Sequence, residues 1–218
     1  PPPPPPPTPR FFFLMIRRPP RSTRKRSSAA SDVYKRQVRY GEQLSRVLGA
    51  DLRRLIGFLS HDLQLYPELS ARENLDFSAR LYGRQEPLAV VNNALDRARL
   101  ADRAEEPVAG FSRGMRQRLA LERSLIHKPR LVLLDEPFTG LDDRSTSELI
   151  ERLHQLSKDG CLIVFATHDL DIADGVLDRA VVLRSGRITE LPDDHGSLRS
   201  RYRELVTGGG SMEQRTDV

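Results

Sequence analysis

Three short apolar runs constrain the fold of this chain more than any other feature. They lie at residues 131–134, 162–166 and 180–183. Continuous apolar runs of this length are typical of parallel strands that are covered on both faces. Between the first two runs, apolar residues recur at helical spacing: Leu149, Ile150, Leu153 and Leu156. A helix between buried strands predicts an α/β fold with a parallel sheet.

Other segments predict further helices and one more strand. Ser70 and Glu73 form a capping-box pattern, in which each side chain satisfies a free amide at a helix start, and Gly83 ends that helix. The other predicted elements are a buried strand over 53–59 and helices over 88–100, 119–126 and 143–157. Residues 38–49 predict a short strand and turn. Beyond residue 190 the pattern is lost, so the C-terminal tail, 191–218, is expected to fray.

Charge and cysteine content narrow the possible partners. The net charge is +5, but residues 1–37 hold nine Lys or Arg and one Asp, which leaves 26 Lys or Arg against 29 Asp or Glu in residues 38–218. Residues 38–218 therefore carry a slight net negative charge, which does not indicate nucleic acid as a partner. The single cysteine, Cys161, fits a reducing cytoplasm. No apolar run approaches the roughly 20 residues that span a bilayer, so we expect a soluble protein whose membrane role depends on a partner.

Residues 1–37 differ from the rest of the chain. They open with seven prolines, continue with the apolar run 11–16 and end with clusters of Lys and Arg. The apolar run is too short for a signal peptide, and positive charge follows it. A disordered basic arm is one interpretation. We favour the other, that the segment resembles translated sequencing-adapter read-through, and expect it to be non-native, disordered and outside the fold.

Two motifs and one histidine carry the chemistry. The first motif is Phe111-Ser112-Arg113-Gly114-Met115-Arg116-Gln117-Arg118, and the second is Asp135-Glu136-Pro137 after the run 131–134. Thr139-Gly140-Leu141-Asp142 follows, and His168 comes after the run 162–166. Together these residues resemble the ATPase domain of ATP-binding cassette (ABC) transporters, over residues 38–190. The resemblance implies a P-loop NTPase-like parallel sheet, here incomplete, with an inserted helical subdomain at residues 64–118.

The resemblance assigns roles to the acidic pair and to two histidines. Asp135 would bind Mg²⁺, and Glu136 would polarise the water that attacks the γ-phosphate of ATP. An adjacent acidic pair alone is more often solvated surface, but the apolar run before it favours a site at the carboxyl edge of the sheet. His168 matches the family's switch histidine, which contacts the γ-phosphate. His61 stands where the family usually has the glutamine that senses Mg²⁺, and its role stays open.

Residues 112–115 stand where the family has its signature sequence. Ser112, Arg113, Gly114 and Met115 lead into a helix, whose N-terminus attracts anions. The resemblance implies that they grip ATP bound to an opposite subunit, so a homodimer or a pair with a paralogous ATPase is expected, with Asp142 also at the nucleotide site. An ordinary Ser N-cap explains Ser112 equally well on its own.

One part of the family's site does not occur in the sequence. No glycine precedes Gly41, and no Gly-Lys pair occurs anywhere. The backbone amides and lysine of the Walker A loop supply much of the affinity for nucleotide. We therefore expect the chain as written to be truncated at its N-terminus, with the native protein beginning upstream of Val38, and to be inactive.

The resemblance implies an ATP-hydrolysing subunit of a transporter. It would be cytoplasmic and lie on the inner face of the cell membrane through a separate permease. Residues 61–75 and 111–115 are most similar to exporter-type ATPases related to the haem exporter of cytochrome c biogenesis, with multidrug export as the other interpretation. The alternatives are a soluble ABC protein acting on ribosomes or DNA, and a degenerate, non-catalytic ABC interaction module. The retained Glu136 and His168 argue against the module.

Overall fold

The core of the protein is a six-stranded sheet. The structure is a computed structural model, and it describes residues 11–16, 39–40, 43–184, 187–192 and 196–207. The strands are β1 (Phe11–Ile16), β2 (Arg39–Tyr40), β3 (Gln43–Leu44), β4 (Ile56–Leu59), β5 (Leu131–Asp135), β6 (Leu162–Ala166), β7 (Arg179–Arg184) and β8 (Arg187–Glu190). The large sheet has the order β4-β5-β6-β1-β7-β8, parallel except for the β7–β8 pair, and β2 and β3 form a separate antiparallel pair. The predicted α/β fold with a parallel sheet is confirmed.

Strand β1 differs from the sequence-based expectation. We expected residues 1–37 to lie outside the fold, yet the backbone of Phe11–Ile16 pairs in parallel with β6 on one side and β7 on the other. The physical reason is that a central parallel strand requires a continuous apolar run, and six consecutive apolar residues with three phenylalanines meet that requirement. The other residues of the expected leader lie outside the described residues.

Helices cover the sheet and supply a second hydrophobic cluster. They are α1 (Ser45–Leu55), α2 (Ala71–Leu81), α3 (Pro87–Arg97), α4 (Arg113–Leu125), α5 (Asp143–Lys158), α6 (Leu170–Asp174) and α7 (Leu198–Thr207). The core around the sheet takes buried side chains from α4 and α5, such as Leu121 and Leu153. A separate cluster joins α2 and α3 to the other side of α4 through residues such as Leu75, Leu95 and Leu119. Helix α4 therefore contributes to both cores.

Local sequence signals account for most helix boundaries. Ser70 caps α2 and forms the predicted capping box with Glu73, whose carboxylate accepts from the Ser70 amide at 2.7 Å. One boundary differs from expectation. The predicted strand over 53–59 is helical up to Leu55, because basic residues near the end of α1 are favoured by the helix dipole.

Part of the C-terminal tail is ordered, in contrast to the frayed tail that we expected. Helix α7 packs Leu198 into the core, and Tyr202 and Leu205 contact the same core. The amide of Leu198 donates to Asp174 Oδ1 at 2.8 Å. Spacings of four and seven residues place the three side chains on one helical face, a pattern that was too short to stand out in the sequence. Within the described residues, no helix combines the length and hydropathy needed to cross a bilayer.

Candidate functional site

The candidate site begins at the carboxyl end of β5. Asp135 is the last residue of the strand and is exposed, while Glu136 follows it with a φ of 51°. The amide of Glu136 donates to the carbonyl of Ala166 at the end of β6, at 2.8 Å. A left-handed conformation at a residue other than glycine costs roughly 1–3 kcal/mol and is concentrated at functional sites. The chain therefore turns sharply at Glu136 and is anchored to the neighbouring strand.

Three side chains hold the Glu136 carboxylate. Its Oε1 lies 2.8 Å from His168 Nδ1, and its Oε2 accepts from the hydroxyls of Thr139 and Thr167, each at 3.2 Å. Thr139 lies in the loop after β5, whereas Thr167 and His168 follow β6. Because adjacent parallel strands end at the same edge of a sheet, the fold brings together residues separated by 31 and 32 positions. The result is an oriented carboxylate at the sheet edge.

The hydrogen bond between His168 and Glu136 also changes the pKa of the histidine. The nearby Glu136 carboxylate, first by hydrogen bonding and then by charge attraction, raises the pKa of His168 above its ordinary value. The histidine side chain is 76% exposed, so solvent screens the pair and weakens its contribution to stability. The His168 ring is consequently held toward Glu136 and remains open to a ligand.

The signature residues begin helix α4. The Ser112 hydroxyl accepts from the Met115 amide at 3.3 Å, so Ser112 is the N-cap. Met115 is partly buried against the helical cluster, and its sulfur accepts a hydrogen bond from Arg103 at 3.4 Å. Ser112 and Arg113 are exposed. Ser112 and Arg113 are thus accessible to a ligand, while Met115 holds the helix start against the helical cluster.

Three contacts connect the start of α4 to the loop after β5 and to the start of α5, which follows that loop. Gln117 is buried, and its side-chain amide donates to the Pro137 carbonyl at 2.8 Å. Gly114 packs so closely against Ser145 that a methyl group there would collide with its hydroxyl, and the Arg113 side chain lies over Gly140, whose φ is +69°. Close approach therefore favours glycine at position 114, and the positive φ favours it at position 140. The signature and the acidic loop are thus packed directly against each other.

Asp142 and His61 occupy different surroundings. Asp142 caps α5, accepting from the Ser145 amide at 2.7 Å, and its pKa is lowered by hydrogen bonding to Ser145. The loop containing Gly140 and Leu141 lines a cleft of about 460 Å³ with Thr167 and His168. His61 is exposed and lines another cleft, of about 340 Å³, with Arg113 and other residues from the start of α4. The structure thus brings His61 near the signature.

Sequence reasoning missed three residues that organise this site. Thr139 stood in a quoted motif and Thr167 lies between the run 162–166 and His168, but neither was recognised as a partner of Glu136, and Gln117 was not recognised as the link to Pro137. Threonine at the end of a buried apolar run was an available signal, because a hydroxyl there has few other donors or acceptors nearby. The signal is weak without knowledge of which strands are neighbours.

Comparisons with known proteins point to one family. Residues 32–139 match the family model described as ABC transporter. The chain is 35% identical over 156 residues to the ABC transporter ATP-binding protein NatA of Bacillus subtilis, covering 70% of this chain and 62% of NatA. It is 38% identical over 137 residues to the Nod factor export ATP-binding protein I of Rhizobium etli, covering 62% of this chain and 43% of that protein.

Solved structures show the same fold. The ATP-binding cassette MJ0796, as a dimer in a post-hydrolysis state with ADP and Pi, matches with a TM-score of 0.60 and 27% identity over 70% of each chain. An ATP-binding subunit of an ABC transporter matches with a TM-score of 0.68 and 25% identity, over 90% of this chain and 88% of that one. The fold is therefore that of ABC ATPase domains. In sequence, the chain spans only 43–62% of the length of the curated relatives NatA and Nod factor export protein I.

Proposed function

Because the fold and the sequence matches support an ABC transporter ATP-binding subunit, we propose that the protein is the ATP-hydrolysing subunit of an ABC exporter. The observation that supports hydrolysis is the Glu136 carboxylate at the end of β5, oriented by Thr139, Thr167 and His168. A general base must be fixed within reach of the water from which it takes a proton. In this proposal Glu136 orients that water and accepts its proton.

Asp135 and its surroundings fit a magnesium ion that is shared with phosphate. Asp135 is exposed at the end of β5, and the described residues contain no group of three or more His, Cys, Asp or Glu side chains that could hold a metal by themselves. Mg²⁺ is commonly held by one or two carboxylates together with water and substrate phosphates. Asp135 would supply the protein ligand, and bound Mg²⁺ would neutralise charge on the phosphates of ATP.

The start of α4 would act on ATP held by an opposite subunit. Ser112 and Arg113 are exposed at the N-terminus of a 13-residue helix, where backbone amides and the helix dipole favour an anion. Gly114 allows the close packing that keeps this helix start in place. A second copy or a paralogous ATPase would be the opposite subunit. The dimeric form of MJ0796 supports this part of the proposal.

Nucleotide affinity is the point on which catalytic and non-catalytic functions separate. The 218 residues contain no Gly-Lys pair, which the phosphate-binding loop requires. We propose that this chain alone has little affinity for ATP, and Mg-ATP should therefore leave its melting temperature unchanged. A rise in melting temperature with Mg-ATP would contradict this. The same lack of a Gly-Lys pair is what favours the second candidate function, a non-catalytic ABC interaction module.

The type of transport is proposed from the relatives. Their names include linearmycin resistance, Nod factor export and daunorubicin resistance, and one names Fe(3+) import. The similarity to haem exporters that we expected from residues 61–75 and 111–115 has no counterpart in these names, so we propose export of a small amphiphilic molecule or drug without a haem-specific role. In this proposal the motif segments that suggested haem export contact nucleotide or permease, so they say little about cargo.

A permease contact surface is available on the helical cluster. Tyr66, Phe77 and Leu81, which we call the apolar face, are 50%, 48% and 73% exposed. Phe77 and Leu81 are four residues apart on α2 and share one side of the helix. Tyr66 meets Phe77 edge to face at 5.5 Å between ring centroids. We propose that a cytoplasmic segment of the permease covers this face, which would place the protein at the inner surface of the membrane.

A completed version of the chain tests the catalytic proposal. A strand followed by a Gly-x-x-x-x-Gly-Lys-Ser loop would be fused before residue 38, so that the new strand takes the place of β1 between β6 and β7. Hydrolysis of ATP is expected, and Glu136→Gln should reduce its rate by about 10²- to 10⁴-fold. Glu151→Gln, an exposed carboxylate on α5, is the matched control and should leave the rate unchanged. Normal hydrolysis by the Glu136→Gln variant would refute the assigned role.

A further inference from the structure

A cleft of about 670 Å³ lies at the amino ends of β5 and β6, away from the candidate site. Its walls come from the ends of α3 and α4, from the second half of α5, and from the loops that lead into the two strands. Since β5 is about 13 Å long, the cleft is well separated from the acidic pair at the carboxyl end of that strand. Its volume is within the range of roughly 300–1,000 Å³ that ligand pockets have.

Basic side chains dominate the polar part of this cleft. Four lining residues are basic, namely Arg97, Lys128, Arg130 and Arg152, and Asp159 is the one acidic lining residue among those that the structure describes. We call the recess that these four residues line the basic cleft. Lys128 and Arg130 are exposed, and neither side chain forms an ion pair or hydrogen bond with the described residues. The cleft therefore has positive charge in excess.

The two arginines of the basic cleft are held in place from below. Glu122 is 1% exposed and accepts from Arg97 Nε at 2.8 Å and from Arg152 Nε at 2.5 Å. These bonds leave the Nη atoms of Arg97 without an acceptor among the described residues, and Arg152 keeps one Nη in the same state. A guanidinium group that is already oriented loses less conformational entropy when its remaining donors bind a ligand.

The rest of the lining is apolar. Leu125, Leu156 and Cys161 are at most 8% exposed, and Pro129 lies beside them. Burial raises the pKa of Cys161 to about 11, so its thiol is neutral at physiological pH and behaves as a small apolar group. The basic cleft thus combines an apolar floor with hydrogen-bond donors that carry positive charge.

We propose that the basic cleft binds a small organic anion with an apolar body, in which a carboxylate, sulfonate or phosphate group is joined to an aromatic or aliphatic part. The anionic group pairs with the free Nη atoms of Arg97 and with Lys128 and Arg130. The apolar part covers Leu125 and Leu156. A bare anion leaves the apolar floor without a partner, and a neutral apolar molecule desolvates charged donors without pairing them. This site does not depend on the proposed ATPase function.

Three probes test the inference with the 218-residue chain. They are 8-anilinonaphthalene-1-sulfonate, its uncharged analogue N-phenyl-1-naphthylamine, and inorganic phosphate as a competitor without an apolar part. Fluorescence titration would measure both dyes against the wild-type protein and the Lys128→Gln, Arg130→Gln double variant. The matched control is Arg80→Gln, Arg144→Gln, which removes the same charge from exposed side chains elsewhere, each paired with an acid. Melting curves would verify that each variant is folded.

The sulfonate should bind wild type and the control variant about tenfold more tightly than it binds the Lys128→Gln, Arg130→Gln variant. Binding of the uncharged dye should be weaker than that of the sulfonate in wild type and should not change between the variants. Inorganic phosphate should displace the sulfonate only weakly, because it cannot use the apolar floor.

Methyl NMR of the wild-type protein would locate the bound dye without any variant. The methyl signals of Leu125 and Leu156 should shift on addition of the sulfonate, whereas those of Leu75, in the core of the helical cluster, should not.

Other outcomes overturn the inference in distinguishable ways. Equal affinity for the two dyes in wild type would refute the preference for an anion. Displacement of the sulfonate by an equal concentration of phosphate would show that the cleft takes a bare anion and would refute the apolar part. Saturable binding that leaves the Leu125 and Leu156 signals unchanged would place the dye elsewhere, on a surface such as the apolar face, and would refute the site itself. The absence of any binding would refute it as well.

Discussion

Replacing Glu122 by Gln should destabilise the protein more than any exposed charge change. Glu122 lies on α4, and its side chain is 1% exposed. Its Oε1 accepts from Arg152 of α5 at 2.5 Å, and its Oε2 accepts from Arg97 of α3 at 2.8 Å. One buried carboxylate therefore joins three helices that come from both hydrophobic clusters. The substitution keeps the size of the side chain and removes its charge.

The expected loss follows from the burial of each partner. Arg152 is 16% exposed, so its charge-assisted hydrogen bond is largely desolvated and is worth about 1.5–3 kcal/mol. Arg97 is 41% exposed, and screening by solvent reduces its share to about 0.5 kcal/mol. A Gln amide would also turn a donor toward one of the arginines. The free energy of unfolding should fall by about 2–4 kcal/mol in total.

Thermal and urea unfolding would measure this loss. For a chain of this size, the expected change corresponds to a decrease in melting temperature of roughly 5–15 °C. Glu151→Gln is the control, because Glu151 is 73% exposed, lies on α5 and pairs with a half-exposed Arg99. It should change the stability by less than about 0.5 kcal/mol. Equal effects of the two substitutions would refute the argument from burial.

Three further predictions concern single residues. Glu136→Gln should lower the pKa of His168 toward its ordinary value, as measured by NMR titration. In the native protein, the small stabilisation from the His168–Glu136 pair is present at low pH and is lost as the pH rises through the raised pKa of His168. Burial raises the pKa of Cys161 to about 11, so at pH 8 its thiol should react with a disulfide reagent at least about tenfold more slowly in the folded than in the unfolded chain. Gly140→Ala should cost about 1 kcal/mol in unfolding free energy, measured by urea, because φ is +69° there; an unchanged midpoint would contradict this.

Many helix ends could be predicted because their signals are local. The capping box of Ser70 and Glu73 involves residues three apart, and the structure forms it as expected. Ser112 likewise caps α4, although the sequence left open whether it would also bind an anion. Such signals depend on short-range hydrogen bonds, so no knowledge of the tertiary fold is needed to recognise them.

The errors at the two ends of the chain have a different cause. We set Phe11–Ile16 aside because its flanking residues looked foreign, and we treated the region of α7 as frayed because its apolar spacing was brief. Both segments are instead stabilised by distant partners: β1 pairs with β6 and β7, and the α7 amide of Leu198 bonds to Asp174. Composition of a segment does not reveal whether the rest of the fold leaves a place for it.

The sequence by itself determined the chemical inventory: an acidic pair after a buried strand, a helix beginning at Ser112, and His168 after another strand. Tertiary structure alone decided which of these meet. It placed His168 and Thr167 on the Glu136 carboxylate, because β5 and β6 are neighbours in the sheet, and it left the Nε atoms of Arg84 and Arg123 buried without a hydrogen-bond partner. Strand order and helix packing arise from long-range contacts, which residue type and spacing along the chain do not specify.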